Sequence, residues 1–234
     1  MKFTKNFLGY FTAFELSLWT LSVVAVFTCH FVFHSSSYLT LAASLVGVTS
    51  LIFCAKGNPI GQVLMIIFSL LYGIISYNAR YYGEMITYIG MTAPMAALAL
   101  VVWLKNPYKG NKSEVAIGSV KWRDIAVMTS LTLIVTVLSY FLLKMLGTAS
   151  LIPSTVSVTT SFIAAYLTYL RSPALSLAYA ANDVVLVLLW IIAATRDPSA
   201  VSAVVCFAVF LVNDIYCFIS WRRMKKRQSE NMSR

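Results

Sequence analysis

Hydrophobic residues in this chain come in long runs rather than in alternation, at 7–33, 38–55, 59–77, 83–104, 123–146, 151–170, 173–194 and 200–221. The polar breaks between them are short and carry residues that end or start helices: His34 to Ser37, Lys56-Gly57-Asn58-Pro59, Asn78 to Tyr82 and Arg171-Ser172-Pro173. About 20 apolar residues rising about 1.5 Å each cross the hydrocarbon of a bilayer, so the pattern predicts about 8 transmembrane helices, the second of them short. Lys2 and Lys5 precede the first run as they would in a secretory signal. That run is too long for a signal core and shows no small-residue cleavage site, so it is expected to stay as a membrane helix.

Composition agrees with the pattern. The 234 residues are 59% hydrophobic and 11% charged, with a mean hydropathy of +0.80, which describes an all-α polytopic membrane protein. A net charge of +10 alone would suggest nucleic acid, but the placement of the charges excludes it. With the N-terminus in the cytoplasm, 15 of the 18 basic residues fall on the inner side and only Arg80, Lys144 and Arg196 on the outer, so both termini are expected to be cytoplasmic. The terminal RRMKKR is expected to meet anionic headgroups of the lipid bilayer. Cys29, Cys54, Cys206 and Cys217 all lie within apolar runs and read as small buried hydrophobes, not as metal or disulfide residues. His30 and His34 read as exposed interfacial residues at the outer end of the first helix, without partners at metal-ligand spacing. No metal site, cofactor or enzyme signature is expected, and the lack of a phosphate-binding glycine loop excludes hydrolysis-driven pumping by this chain alone.

The runs group. Residues 1–37 hold an extra transmembrane helix, with Glu15 and Trp19 but nothing expected to pair with a later segment. Residues 38–104 form a first three-helix repeat and 147–222 a second. Between them lie a basic, turn-rich cytoplasmic loop at 105–122, read as a linker rather than a domain, and a connecting helix at 123–146. Asp124 and Lys144 sit near the ends of that helix, where long charged chains reach the interface. A basic cytoplasmic tail follows at 223–234. Pro59 and Pro173 open the middle helix of each repeat behind a basic residue, 114 positions apart, and Trp103 and Trp221 close each repeat, 118 apart. Both triplets begin outside and end inside, so they are parallel repeats, and a single connecting helix is what two odd-numbered parallel repeats require.

Lys56 with Asn58, Tyr82-Gly83-Glu84, Pro94-Met95 with Trp103, Asn182, and Asn213 with Trp221 together resemble the PnuC family of vitamin and nucleoside transporters, over about residues 38 to 222. The resemblance implies a three-plus-one-plus-three fold similar to that of full-length SWEET proteins. It further implies facilitated passage of an unphosphorylated precursor, which a cytosolic kinase then traps. Four features depart from the nicotinamide riboside pattern: Tyr88 stands where the family tends to carry an amide, Ala96 where glutamine is frequent, and Asp183 and Asp214 where apolar residues are usual.

Those two acids attract the most attention. A carboxylate at the centre of a membrane helix costs roughly 2.5 to 3.5 kcal/mol on insertion scales, and this chain carries two, each behind an asparagine near the middle of a run. Tyr179, Asn182, Asp183, Leu186 and Trp190 share one face of the seventh helix and suit an aromatic base joined to a sugar. The acid would accept from ribose hydroxyls, the amide would read a carboxamide or base edge, and the indole would stack. The competing reading makes Asn182 and Asp183 ties between helices and Trp190 an interfacial belt residue. Asn213 and Asp214 give the matching stripe on the eighth helix with Phe207, Phe210 and Cys217. Asp214 has Tyr216 as an alternative partner, and the two acids together could form a proton or sodium site. In the first repeat Gln62, Tyr72, Tyr88 and Thr92 are the candidate contacts, while Ser69 and Ser76 fit helix packing equally well. Glu84 shares the Tyr88–Thr92 stripe. Pro94, within the fourth run, is the candidate hinge.

The expected function is uptake of a nucleoside-like vitamin precursor, nicotinamide riboside first, by alternating access across a bacterial plasma membrane. The same fold could carry a deoxynucleoside, purine nucleoside, thiamin or riboflavin instead. A non-transporting receptor or scaffold is the alternative from another class, and assembly as a homo-oligomer stays open.

Overall fold

The computed structural model describes residues 9–32, 38–78, 81–148, 150–196 and 198–231; Lys2, Lys5, His34, Arg80 and Arg234 fall outside them. Each apolar run becomes a helix: α1 (Ala13–Val32), α2 (Tyr38–Ala55), α3 (Ile60–Asn78), α4 (Tyr82–Lys105), α5 (Trp122–Met145), α6 (Leu151–Tyr169), α7 (Leu175–Ala194) and α8 (Val201–Glu230). All 8 are long and apolar enough to cross a membrane. Six of them close a ring. The middle helix of each triplet packs on both its neighbours, α3 on α2 and α4, α7 on α6 and α8, while α4 meets α6 and α8 meets α2. Each triplet therefore contacts the other through its first and last helices.

The remaining two helices lie outside the ring. α5 packs on α6, and Thr132 and Leu143 are its only buried positions among the described residues, as a lipid-facing connector requires. α1 lies against α2 and α8. Contrary to the reading of α1 as an unpaired extra helix, Glu15 is buried and accepts from Lys56 Nζ at 3.1 Å, Tyr216 Oη at 2.9 Å and Thr12 N at 2.7 Å. Trp19 Nε1 donates to Thr49 Oγ1 at 3.2 Å, and Ser22 Oγ accepts from Asn213 Nδ2 at 3.0 Å. A carboxylate in an apolar run requires such partners, and these come from the turn after α2, from α8 and from the residue before α1. Tyr216 is thus engaged by Glu15 rather than by Asp214. His30, expected at an exposed interface, is buried between the rings of Phe31 and Tyr38.

The two repeats match atom for atom where their first helices end. Asn58 N reaches Phe53 O and Gly57 N reaches Cys54 O; 114 residues later Ser172 N reaches Leu167 O and Arg171 N reaches Thr168 O. This is the Schellman turn, which needs a left-handed residue, supplied by Gly57 (φ 64) and by Arg171 (φ 57). The tryptophans that close the repeats cross over: Trp221 Nε1 donates to Cys54 O at 2.8 Å and Trp103 Nε1 to Thr168 O at 3.0 Å. Their rings meet at 5.5 Å, so the end of each repeat is held by the other.

The 105–122 segment does more than link. Pro107–Tyr108 and Asn111–Val115 form a hairpin whose turn residues Lys109 and Gly110 have positive φ, the twist a tight hairpin turn favours. Val115 N donates to Gly57 O at 2.9 Å and Gly118 N to Arg171 O at 3.1 Å, so one strap ties both Schellman turns. Glu114 pairs with Arg227, and Gln228 bonds Ile117 N and Val115 O. These contacts explain why α8 continues to Glu230 where a tail was expected: Trp221, Met224 and Gln228 are buried along one face beneath the strap.

α4 is not a uniform helix. Its segment Ile86–Thr92 is π-helical: Ala93 N bonds Tyr88 O and Thr92 Oγ1 bonds Thr87 O at 3.1 Å, both five residues back. Pro94 next to it has no N–H to give Gly90 O, and the wider turn accommodates that loss. Pro94 and the π turn face a groove of about 420 Å³ shared with α5 and α6.

Candidate functional site

Between the triplets lies an aromatic compartment built from α3, α4, α7 and α8. Tyr72 is its hub, with ring centroids at 4.6 Å from Tyr88, 5.5 Å from Phe68 and Phe207, and 6.2 Å from Trp190. Phe210 stands at 5.4 Å from Phe68, and Tyr81 covers Trp190 edge-on at 5.1 Å. Helical spacing explains the assembly: Phe68 and Tyr72 are one turn apart on α3, as are Asp183, Leu186 and Trp190 on successive turns of α7.

Polar groups enter this apolar box without partners of their own. Among the described residues, the buried side-chain atoms lacking any hydrogen bond include Ser76 Oγ, both Glu84 oxygens, Asp183 Oδ2 and Asn213 Oδ1, while Tyr72 Oη and Trp190 Nε1 have only each other. Two helices of each triplet contribute. Buried polar atoms are almost always paired, so unpartnered ones converging from four helices mark a place where a polar ligand supplies the missing bonds. Asp183 and Asp214 meet side chain to side chain across α7 and α8. Tyr88 lies within electrostatic reach of both Glu84 and Asp183, which connects the acid pair to the aromatic box.

The structure brings together Tyr72, Tyr88, Trp190, Asp183 and Asp214 from the residues singled out by sequence. Tyr179 is half-buried, hydrogen-bonded to Thr168 with the acid pair within electrostatic reach. Gln62 is buried on the same side, where Nε2 reaches Cys54 Sγ at 3.4 Å. Two others are turned to neighbouring helices. Asn182 Oδ1 accepts from the hydroxyls of Thr160 at 2.9 Å, Ser161 at 3.0 Å and Ser157 at 3.3 Å, so its carbonyl ties α7 to α6. The Asn213 amide nitrogen ties α8 to α1 through Ser22 and also bonds Val209 O. Thr92 spends its hydroxyl on the π turn. Sequence reasoning left Glu84 out of the site, although a carboxyl within an apolar run is the same signal that selected Asp183.

A sequence model described as nicotinamide mononucleotide transporter matches residues 37–223. The chain belongs to the nicotinamide mononucleotide transporter family. It is a multi-pass membrane transporter, not an enzyme. A relative, the nicotinamide riboside transporter PnuC of Neisseria mucosa, is 24% identical over 229 residues, which cover 96% of this chain and 87% of that protein. The crystal structure of the vitamin B3 transporter PnuC matches with a TM-score of 0.81 at 22% identity, covering 93% of this chain and 94% of the other. The fold is thus shared with that structure at low sequence identity.

Proposed function

We propose that this transporter takes up nicotinamide riboside, unphosphorylated, by alternating access of the two triplets around the aromatic compartment. The observation that carries the reading is the set of unpartnered buried polar atoms on both triplets. The family description names a mononucleotide, and the electrostatics support the riboside. Glu84, Asp183 and Asp214 are buried in or beside the compartment, and no lysine or arginine is buried among the described residues. A phosphate needs cationic or N–H donors at close quarters, and a carboxyl-lined box repels it. The riboside offers ribose hydroxyls to the acids, a carboxamide to Asn213 Oδ1, and a ring to Tyr72, Tyr88 and Trp190. Tyr179 and Gln62 would line the path below. The basic residues at the strap and α8 end support cytoplasmic termini, in a bacterial plasma membrane. Passage is then facilitated diffusion, drawn forward by a cytosolic kinase.

A thermal-shift series on the purified protein tests this directly. Nicotinamide riboside is expected to stabilise the native protein by mass action, and less so in Asp183→Asn, while the mononucleotide, deoxynucleosides and riboflavin leave it unchanged. Stabilisation by the mononucleotide equal to that by the riboside would reject the reading.

The hinge reading of Pro94 gains support from the adjoining π turn and the open groove behind it. Pro94→Ala allows an ordinary α ladder and is expected to slow uptake about fivefold with riboside affinity kept, on the view that conformational change limits turnover. Unchanged uptake would remove the hinge.

A further inference from the structure

This chain buries two isolated glutamates and treats them differently. Glu15 is 3% exposed and is met by Lys56, Tyr216 and the Thr12 amide. Glu84 is 1% exposed, and neither carboxyl oxygen has a partner. A carboxyl taken out of water without hydrogen bonds or a counter-charge is among the most expensive arrangements in a protein interior. Glu84 lies within electrostatic reach of Tyr72 and Tyr88, whose rings pack together and, through Tyr72, against Trp190. Trp190 Nε1 and Tyr72 Oη point at each other in the same layer. This layer lies towards the end of the ring opposite the crossed tryptophans, since α4 begins and α7 ends there. An unmatched carboxyl within reach of a packed tyrosine and tryptophan cluster is a combination that receives a flat organic cation, with the acid as counter-ion and the rings as cation–π walls.

We propose that Glu84 is the counter-ion for a permanently charged heteroaromatic ring, so that the site selects cargo by ring charge as well as by shape. This rests on the reading of the compartment as the cargo site. It sorts the candidate cargoes by chemistry. Nicotinamide riboside carries a quaternised ring nitrogen and thiamin a quaternary thiazolium, whereas purine nucleosides, deoxynucleosides and riboflavin carry neutral rings. It also gives Glu84 a role distinct from that of the Asp183–Asp214 pair, which meets the sugar.

The test compares nicotinamide riboside with its 1,4-dihydro form, which has nearly the same shape and no ring charge. Binding is measured calorimetrically on the full chain in nanodiscs, for wild type and Glu84→Gln. Wild type is expected to favour the charged form by at least about 100-fold, the scale of one unit charge opposite another in the interior, and Glu84→Gln to bring the two forms within about fivefold. Thermal unfolding without ligand shows whether Glu84→Gln is folded; if it is not, Glu84→Asp takes its place, with the preference expected to fall but not vanish. Equal binding of both forms by wild type, or an undiminished preference in folded Glu84→Gln, would overturn the proposal while leaving riboside transport intact. If neither riboside form binds, thiamin and its uncharged thiochrome are compared in the same way. Selective thiamin binding that depends on Glu84 supports the counter-ion and moves the cargo, whereas binding of no cation rejects both.

Discussion

Asp183→Leu and Asp214→Leu are each expected to reduce nicotinamide riboside uptake at least about 100-fold, which corresponds to about 3 kcal/mol of lost interaction. Each change removes one of two carboxyls that meet across α7 and α8 and leaves the other buried without its partner. Such an orphan costs about 1 to 3 kcal/mol in stability, so part of the effect is structural. The asparagine replacements separate the two contributions. A carboxamide keeps the bond to the remaining acid, so Asp183→Asn is expected to fold and reach the membrane as wild type does while binding the riboside more weakly. A passive scaffold would tolerate leucine at both positions together, since apolar replacement of a whole buried polar pair is often neutral or stabilising. Uptake in cells, normalised to protein in the membrane fraction, distinguishes these outcomes, and wild-type uptake by both leucine variants would remove the acid pair from the site.

Trp221→Ala carries the largest expected effect on stability. The side chain is fully buried, its Nε1 holds Cys54 O at the end of α2, and its ring meets that of Trp103 at 5.5 Å. Truncating a buried tryptophan costs about 3 to 5 kcal/mol. For a chain of this size that is about 10 °C in the unfolding temperature. Trp221→Phe keeps most of the packing and loses only the hydrogen bond, at about 1 kcal/mol. Trp103→Phe is expected to cost a similar amount, because its bond to Thr168 O is the counterpart in the other repeat. The rings touch, so the double phenylalanine variant is expected to depart from the sum of the single ones. A sum within error would mean that the crossed bonds act independently, and an unchanged unfolding temperature in Trp221→Ala would contradict the clasp.

The fold was legible because its determinants are local. Run length and the breaks at Lys56-Gly57-Asn58-Pro59 and Arg171-Ser172-Pro173 depend on residues a few positions apart, and the spacing of 114 between Pro59 and Pro173 recurs in the hydrogen bonds of both turns. Contacts between distant segments were not legible. Nothing near Glu15 in sequence announces Lys56 or Tyr216, and nothing near Asn182 announces that α6 would offer its oxygen three hydroxyls. The π turn escaped for another reason: its one-residue shift still leaves Glu84, Tyr88 and Thr92 buried, so the helical stripe looked regular. In the site, the acids were visible as charges inside apolar runs. The aromatic box was only half visible, because Phe68 reads as ordinary core until Tyr72 and Tyr88 are placed against it.

Counterflow in reconstituted vesicles tests the account at its centre. Vesicles loaded with unlabelled nicotinamide riboside and diluted into labelled riboside are expected to accumulate label transiently. Labelled mononucleotide is expected to stay outside, and vesicles bearing the folded Asp183→Asn, Asp214→Asn double variant to take up little of either. Entry of the mononucleotide as fast as the riboside, or counterflow undiminished in the double variant, would contradict a carboxyl-lined compartment as the path of an unphosphorylated cargo.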